Sequence, residues 1–539
     1  MKIISGKLVD IHNRKIFSAE VIIEGSKITK INRVDSSRNV FLLPGFTDSH
    51  VHIESSMITP GAFATAAVKH GTVAVVSDPH EIANVMGIAG VEFMLDDARK
   101  VPFKFYFGAP SCVPATTFET SGGTITSNDI VNLLNDSRIS YLAEMMNFPG
   151  VIYGDDEVSR KIAAAKKVNK PIDGHAPGLR GDSLKKYVTA GISTDHECST
   201  IDEALEKIKL GMKILIREGS AARNLDALKD LIRTNSEMVM LCSDDLHPEM
   251  LESRHINKVV AKLINEGFNI YDILKCTSIN PKLHYGLETG TLKVGDPADF
   301  IIVEKLEDMN VLETWIDGSK VYDNGIIQFN YEPAKEVNNF NCSAINIDDI
   351  LIRNQKKRIR VIEAIEGELM TNEILWNTLG EYVEPDIEKD ILKIVVKDRY
   401  KDSSPVTGFI KGFGLKNGAI ASSVAHDSHN IIAVGASNDD IVKAMNQIIR
   451  MKGGLSVCSG GMLNYLMLDI AGIMTARSCN QIASEYLKLN QLTALNGCQM
   501  KAPFMTLSFM ALLVIPDLKI GDKGLFSVKE FKPISLFID

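Results

Sequence analysis

The sequence lacks closely spaced cysteines. Eight cysteines are spread over 539 residues, and no two of them form a CxxC pair. This spacing argues against a disulfide framework and against a thiolate zinc site. We therefore expect reduced thiols and a cytoplasmic protein.

An excess of basic residues is also missing. The 59 Lys and Arg residues are outnumbered by 68 Asp and Glu residues, and the formal net charge is -9. Proteins that bind nucleic acid usually carry a basic stripe. We therefore expect no nucleic-acid partner and a small-molecule substrate instead.

No apolar run is long enough for a membrane span. The longest late run, residues 504–515, is interrupted by Thr506 and Ser508 and falls short of the roughly 20 residues that cross a bilayer. The first residues, MKIISGKLVDIHNRK, lack the apolar stretch of a signal peptide. We predict no membrane partner, and we interpret residues 504–515 as core.

The middle of the chain alternates β-rich runs with helical stretches. Hydrophobic residues make up 45% of the chain, and its length predicts two or three domains. Between residues 44 and 284 we count eight strand candidates, namely PGFTDSHVH, TVAVVSDP, KFYFGAPS, YLAEMMN, KPIDGHAP, GISTDHE, KILIREGS and MVMLCSDD. This number of strand-helix units over this length predicts an α/β fold, a (β/α)8 TIM-like barrel.

The segments on either side of the barrel resemble each other. Residues 1–43 and 285–336 both contain short strands of alternating polarity separated by turn residues. We predict that they pair into one small β-sandwich. Residues 337–346 are asparagine-rich and predict a linker. Residues 347–539 mix strands with an amphipathic helix from about Asp439 to Met451, which predicts a separate C-terminal α+β domain.

Two histidines at the end of the first barrel strand form the strongest chemical signal. His50 and His52 are two residues apart in DSHVH, and residues two apart in a strand point to the same side. The carboxyl ends of barrel strands form the face where active sites lie. The pair can therefore bind one metal ion, although HxH alone fits structural histidines equally well.

Other predicted strands end in further ligand-type side chains. With the first pair, the candidate metal ligands are His50, His52, Glu144, His175, His196 and Asp244. Six ligands exceed what one catalytic ion with an open position needs. We therefore predict two divalent ions bridged by Glu144.

This arrangement resembles the amidohydrolase superfamily. The ligand order and the segment GDPADFIIVE carry that likeness. The segments PGFTDSHVHIESSM, VVSDPHEIANVMG, LAEMMNFPGV, GHAPGLRG, TDHECST, SDDLHPEML and SSVAHDSHNIIAVG are similar to the bacterial and archaeal adenine deaminase family. The resemblance covers nearly the whole chain, and it implies hydrolysis of adenine to hypoxanthine and ammonia. Glu144 stands where many amidohydrolases carry a carboxylated lysine, which supports the narrower family.

The ligand set implies the catalytic roles. Two divalent ions lower the pKa of bound water to about 7, which makes the water a nucleophile at neutral pH. It would attack C6 of adenine. Asp244 is placed to take the water proton and deliver it toward the purine or the leaving ammonia, so Asp244 and Glu144 are the predicted catalytic residues. Asp245 should point the other way along the strand, and we expect it to support Asp244.

Polar residues near the mouth are candidates for purine binding. His80 and Glu81 follow the second strand, and a hydrogen-bonded loop explains them equally well. His426 and His429 belong to the C-terminal domain, and we predict that they reach the mouth as a lid, with a hydrogen-bonded turn as the alternative. Three further residues lie in strand-end loops, and each either assists at the site or is ordinary surface: Glu54, Glu119 and His247.

Two other functions remain open. A dihydroorotase-like or hydantoinase-like enzyme would use the same ligands on a cyclic amide, but Glu144 and the extra C-terminal domain disfavour it. A non-catalytic scaffold should have lost ligands, whereas all six are present. The cytidine-deaminase-like zinc fold is excluded because no PCxxC occurs.

The identity of the metals does not follow from the ligand types. Imidazole and carboxylate suit several metals, and we expect two ions of manganese or iron, with zinc as the alternative. The expected small molecules are adenine and water. A homodimer is expected from the common behaviour of large soluble enzymes.

Overall fold

Eight parallel strands form the central part of the molecule. The structure is a computed structural model, and it describes residues 1–220 and 222–538. The barrel strands are Phe46–His52, Thr72–Ser77, Lys104–Ala109, Ile139–Met145, Ile172–Gly174, Thr194–Asp195, Lys213–Arg217 and Val239–Cys242. All eight predicted strands are present, which confirms the predicted fold class.

Hydrogen bonds close these strands into a ring. The first five form one parallel sheet and the last three form another. The sheets meet on one side where the Ser193 amide donates to the Ile172 carbonyl at 2.9 Å. On the other side the short strand Asp244–Asp245, which continues the eighth strand, pairs in parallel with Phe46–His52.

Helices surround the barrel. Helix Ile256–Asn265 illustrates why, since Ile256, Val260 and Leu263 are spaced by four and three residues and are all buried, as expected for an amphipathic helix. The other helices of this region are Pro60–Ala67, His80–Met86, Ile88–Ala98, Ser127–Asn135, Phe148–Tyr153, Asp156–Lys167, Gly181–Thr189, Ile201–Lys209, Leu225–Leu228, Leu231–Thr234, Pro248–Ser253, Ile270–Leu274 and Asn280–Tyr285.

The two flanks of the barrel form one sheet of eight strands. Strand Phe41–Pro44 pairs antiparallel with Phe300–Val303, so the N-terminal strands join the strands that follow the barrel, as predicted. Side chains of this sheet form a buried hydrophobic cluster that includes Val21, Phe300 and Trp315. Its other strands are Lys2–Asp10, Lys15–Glu24, Lys27–Arg33, Val311–Ile316, Ser319–Asp323 and Ile326–Ile327.

The C-terminal part is built on a nine-stranded sheet. Its strands are Arg358–Ala364, Thr371–Asn377, Leu392–Lys397, Val406–Lys411, Ala419–Ser422, Ile431–Gly435, Gly454–Ser459, Met462–Met467 and Phe537–Ile538. Strands Leu518–Gly521, Gly524–Ser527 and Lys532–Ile534 form a smaller sheet. The helices are Asn438–Met451, Cys479–Leu495 and Pro503–Phe509.

The predicted C-terminal helix is found within one residue of its expected start. Helix Asn438–Met451 begins after Ser437, whose hydroxyl accepts from the Asp440 amide at 3.2 Å. Such a cap satisfies one of the free amides of a first turn. The run 504–515 is core as expected, because nearly all of its residues are buried.

The C-terminal domain packs directly against the barrel. One hydrophobic cluster contains barrel residues such as Val75 together with Val434 and Phe509 of the C-terminal domain. The C-terminal domain is therefore held against the barrel by a shared core. Within the described ranges, no helix is both long and apolar enough to cross a membrane.

Candidate metal centre at the barrel mouth

Hydrogen bonds hold the carboxyl end of the first strand beside the end of the eighth strand. The first strand therefore presents two imidazoles to the barrel mouth. Asp48 accepts hydrogen bonds from the Ser243 amide at 3.0 Å and from His255 Nε2 at 2.8 Å. These bonds fix the register at which His50 and His52 face Asp244. All three side chains are buried.

The six predicted ligands converge on this mouth. Three overlapping groups have their ligand atoms within 4.8 Å of one another. His52 Nε2 and His50 Nε2 lie 3.3 Å and 3.5 Å from Asp244 Oδ1. The groups are His50 with His196 and Asp244, His50 with His52 and Glu144, and Glu144 with His175 and His196.

Glu144 lies between the two halves of this cluster. Its Oε1 is 3.3 Å from His52 Nε2, whereas its Oε2 is 2.9 Å from His175 Nδ1 and 3.2 Å from His196 Nε2. The two carboxylate oxygens therefore face different imidazoles. This geometry suits a carboxylate that bridges two ions.

The donor set fits metal ions better than it fits an uncharged core. Both ring nitrogens of His50 are buried without a hydrogen-bond partner among the described residues, and such a group is costly unless something binds it. Burial and the neighbouring His196 lower the pKa of His50, which favours the neutral form that coordinates metals. His52 Nδ1 donates to the Asp78 carbonyl at 3.1 Å, which leaves Nε2 directed at the site.

The C-terminal domain contributes directly to the same pocket. His429 Nε2 lies 2.5 Å from Glu81 Oε2, and His426 Nδ1 makes a short hydrogen bond to Glu81 Oε1. His426 also stacks on Phe509, with ring centroids 5.0 Å apart. The segment containing both histidines therefore lies at the mouth of its own barrel, where His426 lines the pocket and His429 is buried outside the lining.

The pocket has a polar floor and an apolar wall. The space that its lining residues surround, counted together with open solvent, is about 460 Å³. The ligand cluster and the Glu81 contacts form the floor, and the wall consists of Met146, Leu369, Phe509, Leu512, Val514 and Ile515.

Comparisons with known proteins agree with this architecture. A family model described as the adenine deaminase C-terminal domain matches residues 369–532, and one for the amidohydrolase family matches residues 41–321. The adenine deaminase of Methanosarcina mazei is 50% identical to this chain, with 100% of each sequence covered. That of Sulfurovum sp. is 51% identical, with 97% of each covered. The chain belongs to the adenine deaminase family.

The predicted family and enzyme class are thereby confirmed, since this family consists of metal-dependent amidohydrolases. Among solved structures, β-aspartyl dipeptidase from Fervidobacterium islandicum AW-1 matches 62% of this chain and 100% of its own, with 16% identity and a TM-score of 0.47.

Asp245 does not point away from the site as expected. Asp244 has a φ of 57°, and this left-handed conformation breaks the alternation that a regular strand would impose. Asp245 therefore also lines the pocket, and its Oδ1 accepts from Ser55 Oγ at 2.5 Å.

The remaining candidates divide into two groups. His80 lines the pocket, with Nδ1 3.1 Å from Asp78 Oδ2 and 3.5 Å from Glu144 Oε1. The three loop residues are buried but lie outside the pocket wall: Glu54, Glu119 and His247. The alternative that they are ordinary surface is wrong, because all three are buried. Glu54 Oε1, for example, accepts from the Ile82 amide at 3.2 Å.

Two charged residues of the site were missed by sequence reasoning. The Arg217 guanidinium donates to Glu197 at 2.6 Å and 3.0 Å and contacts Asp244. Both line the pocket of this family member. A signal for them exists in the sequence, because Arg217 is the last residue of a barrel strand and Glu197 directly follows the candidate ligand His196.

Proposed function

We propose that this chain hydrolyses adenine to hypoxanthine and ammonia. The observation that carries the proposal is the joint pocket, in which His426 and Asp427 of the C-terminal domain line the same space as the ligand cluster. Full-length similarity at about half identity to proteins named adenine deaminase supports the same substrate.

We assign two divalent ions to the six ligands. His50, His52 and Asp244 would hold one ion, His175 and His196 the other, and Glu144 would bridge them. Two such ions, when bound, lower the pKa of water to about 7. Manganese or iron is our proposal, with zinc as the alternative, because imidazole and carboxylate ligands suit all three.

Asp244 is our proposed acceptor of the water proton. Arg217 holds Asp244 Oδ2, so Oδ1 is left facing the imidazoles at 3.3 Å and 3.5 Å. A general base with a fixed orientation avoids reorganisation during proton transfer. The same carboxyl group would then deliver the proton to the purine or to the leaving ammonia.

The purine would bind between the polar floor and the apolar wall. His80, Glu81, His426 and His429 are our candidates for contacts to its polar edge. The flat faces of adenine suit an apolar wall that contains the ring of Phe509. This division gives polar groups for orientation and apolar groups for burial, which is usual in small-molecule sites.

One substrate panel separates adenine deamination from the alternatives. Protein loaded with Mn²⁺ or Fe²⁺ is incubated with adenine, adenosine or dihydroorotate, and ammonia release and ring opening are measured. We expect ammonia and an equal amount of hypoxanthine from adenine alone. Opening of dihydroorotate without adenine turnover would support a cyclic-amide hydrolase, and no reaction with any compound would support a scaffold.

We further propose that the protein acts as a cytoplasmic homodimer. All eight cysteines are free, which fits a reducing compartment, and homodimers are common among soluble enzymes. Sedimentation velocity at micromolar concentration tests the dimer, and a monomer at all concentrations would refute it.

A further inference from the structure

A third carboxylate belongs to the candidate metal centre. Glu197 directly follows His196, and its side chain is only 7% exposed. Its Oε1 lies 3.3 Å from His196 Nε2 and 3.6 Å from His175 Nδ1. The same two nitrogens lie 3.2 Å and 2.9 Å from Glu144 Oε2. Two imidazoles thus face two carboxylate oxygens at once.

These spacings match the donor shell of one ion. Donors about 2.1 Å from a metal in a tetrahedral arrangement are about 3.4 Å apart. The four nitrogen–oxygen distances among Glu144, His175, His196 and Glu197 run from 2.9 Å to 3.6 Å. Building on the ligand set proposed above, we propose that Glu197 is a further ligand of the ion held by Glu144, His175 and His196.

Arg217 holds the Glu197 carboxylate in the orientation that metal binding needs. Its NH1 and NH2 groups donate to Glu197 Oε1 and Oε2 at 2.6 Å and 3.0 Å, and a two-pronged contact of this kind leaves the carboxylate little rotational freedom. Oε1 is thereby held toward the imidazoles. Manganese and iron accept more than four ligands, so a position for water stays open.

The balance of charge in the site also supports Glu197 as a metal ligand. Two divalent ions and the guanidinium of Arg217 bring five positive charges into a buried site, and the two carboxylates among the proposed ligands, Glu144 and Asp244, offset two of them. Glu197 offsets a third. Buried charges are costly unless they are paired, so a ligand carboxylate here stabilises both Arg217 and the nearby ion.

Metal binding without substrate tests the assignment. Purified protein is stripped of metal and titrated with Co²⁺ alone, following both stoichiometry and the visible spectrum of bound Co²⁺. We expect Glu197→Gln to weaken the second Co²⁺ by at least about 100-fold and to change its spectrum. Groups that only support a ligand typically change metal affinity by about 10–100-fold. Since adenine is not used, failure of the proposed substrate would leave this result intact.

Glu218→Gln is the matched control. Glu218 directly follows the seventh strand, its side chain is 10% exposed, and its nearest basic group, Arg223 NH1, is 3.7 Å away. This control should bind two Co²⁺ ions as the unmodified protein does. Equal melting temperatures of the metal-free variants would show that Glu197→Gln acts on the metal rather than on the fold.

Double variants identify the ion that Glu197 holds. If Glu197 and His175 share an ion, Glu197→Gln with His175→Ala should still bind one Co²⁺. Glu197→Gln with His50→Ala should bind none tightly. Retention of two ions at unchanged affinity in Glu197→Gln, or the reverse pattern in the double variants, would overturn the assignment. A raised KM for adenine with unchanged metal binding would make Glu197 a substrate contact instead.

Discussion

His429 Nε2 lies 2.5 Å from Glu81 Oε2, and this contact joins two residues that are 348 positions apart. The second oxygen of Glu81 is bound by His426. All three side chains are buried, so the barrel places a carboxylate under the C-terminal domain and the C-terminal domain supplies its two partners. The pocket is complete only when both parts are assembled.

Removal of either partner of Glu81 should impair adenine turnover. His426→Ala or His429→Ala leaves a buried carboxylate with one hydrogen-bond partner fewer, which typically costs about 1–3 kcal/mol. We expect a lower kcat/KM for adenine, two bound metal ions, and a modest decrease in melting temperature. His12→Ala is the control, since His12 is exposed in the turn between strands Lys2–Asp10 and Lys15–Glu24. Unchanged kinetics in both variants would contradict a role of this segment in the pocket.

Loss of a ligand histidine should remove metal and activity together. In the proposed site His50 and His196 each bind one of two ions needed for hydrolysis, so we expect His50→Ala and His196→Ala to bind fewer than two ions per chain and to show no measurable deamination. Elemental analysis and ammonia release check this. His284→Ala serves as the control because His284 lies at the end of helix Asn280–Tyr285, outside the pocket. Full activity with two ions in either ligand variant would refute the site.

The two neighbouring aspartates should differ in their effect on turnover. If Asp244 accepts the water proton as proposed, Asp244→Asn removes the general base, and such a loss typically slows a reaction by about 100- to 10,000-fold. We expect kcat to fall in that range while most of the metal stays bound. Asp245→Asn keeps an acceptor for Ser55 and should be much more active. Both rates are measured at equal metal content. If Asp245→Asn were the slower variant, Asp245 rather than Asp244 would be the proton acceptor.

Glu249 should make stability depend on pH. Burial raises the pKa of Glu249 from 4.5 to about 7. A carboxyl group whose folded pKa exceeds its unfolded pKa favours folding most below pH 4.5, and this contribution is lost as the pH rises toward 7. Glu249→Gln resembles the protonated acid, so it should leave stability nearly unchanged at pH 5. At pH 8 it should raise the free energy of unfolding by on the order of 2–3 kcal/mol.

Urea unfolding of the metal-free protein at both pH values measures this effect. The control is Glu252→Gln in the same helix, where Glu252 pairs with Lys69 at 3.0 Å. A partly exposed pair of this kind contributes at most about 1 kcal/mol, equally at pH 5 and pH 8. A pH-independent change in Glu249→Gln would show that folding does not raise the pKa of Glu249.

The sequence alone determined the barrel and its six candidate ligands. Strand ends in a parallel barrel share one face, so ligand-type residues such as His50, Glu144 and Asp244 can be assigned to that face from strand position alone. The pairing of the two flanks also followed from local patterns, because both carry the same short alternating strands.

Only the tertiary structure decided which side chains meet across long separations. The Glu81 contact depends on how the C-terminal domain packs against the barrel, and no local pattern encodes that orientation. Likewise Arg217 and Glu197 lie on neighbouring strand ends, but their two hydrogen bonds depend on side-chain directions. Asp245 turns into the pocket because the left-handed backbone of Asp244 ends the regular alternation. Sequence patterns report periodicity, whereas these contacts depend on the angles and distances at which separate elements pack.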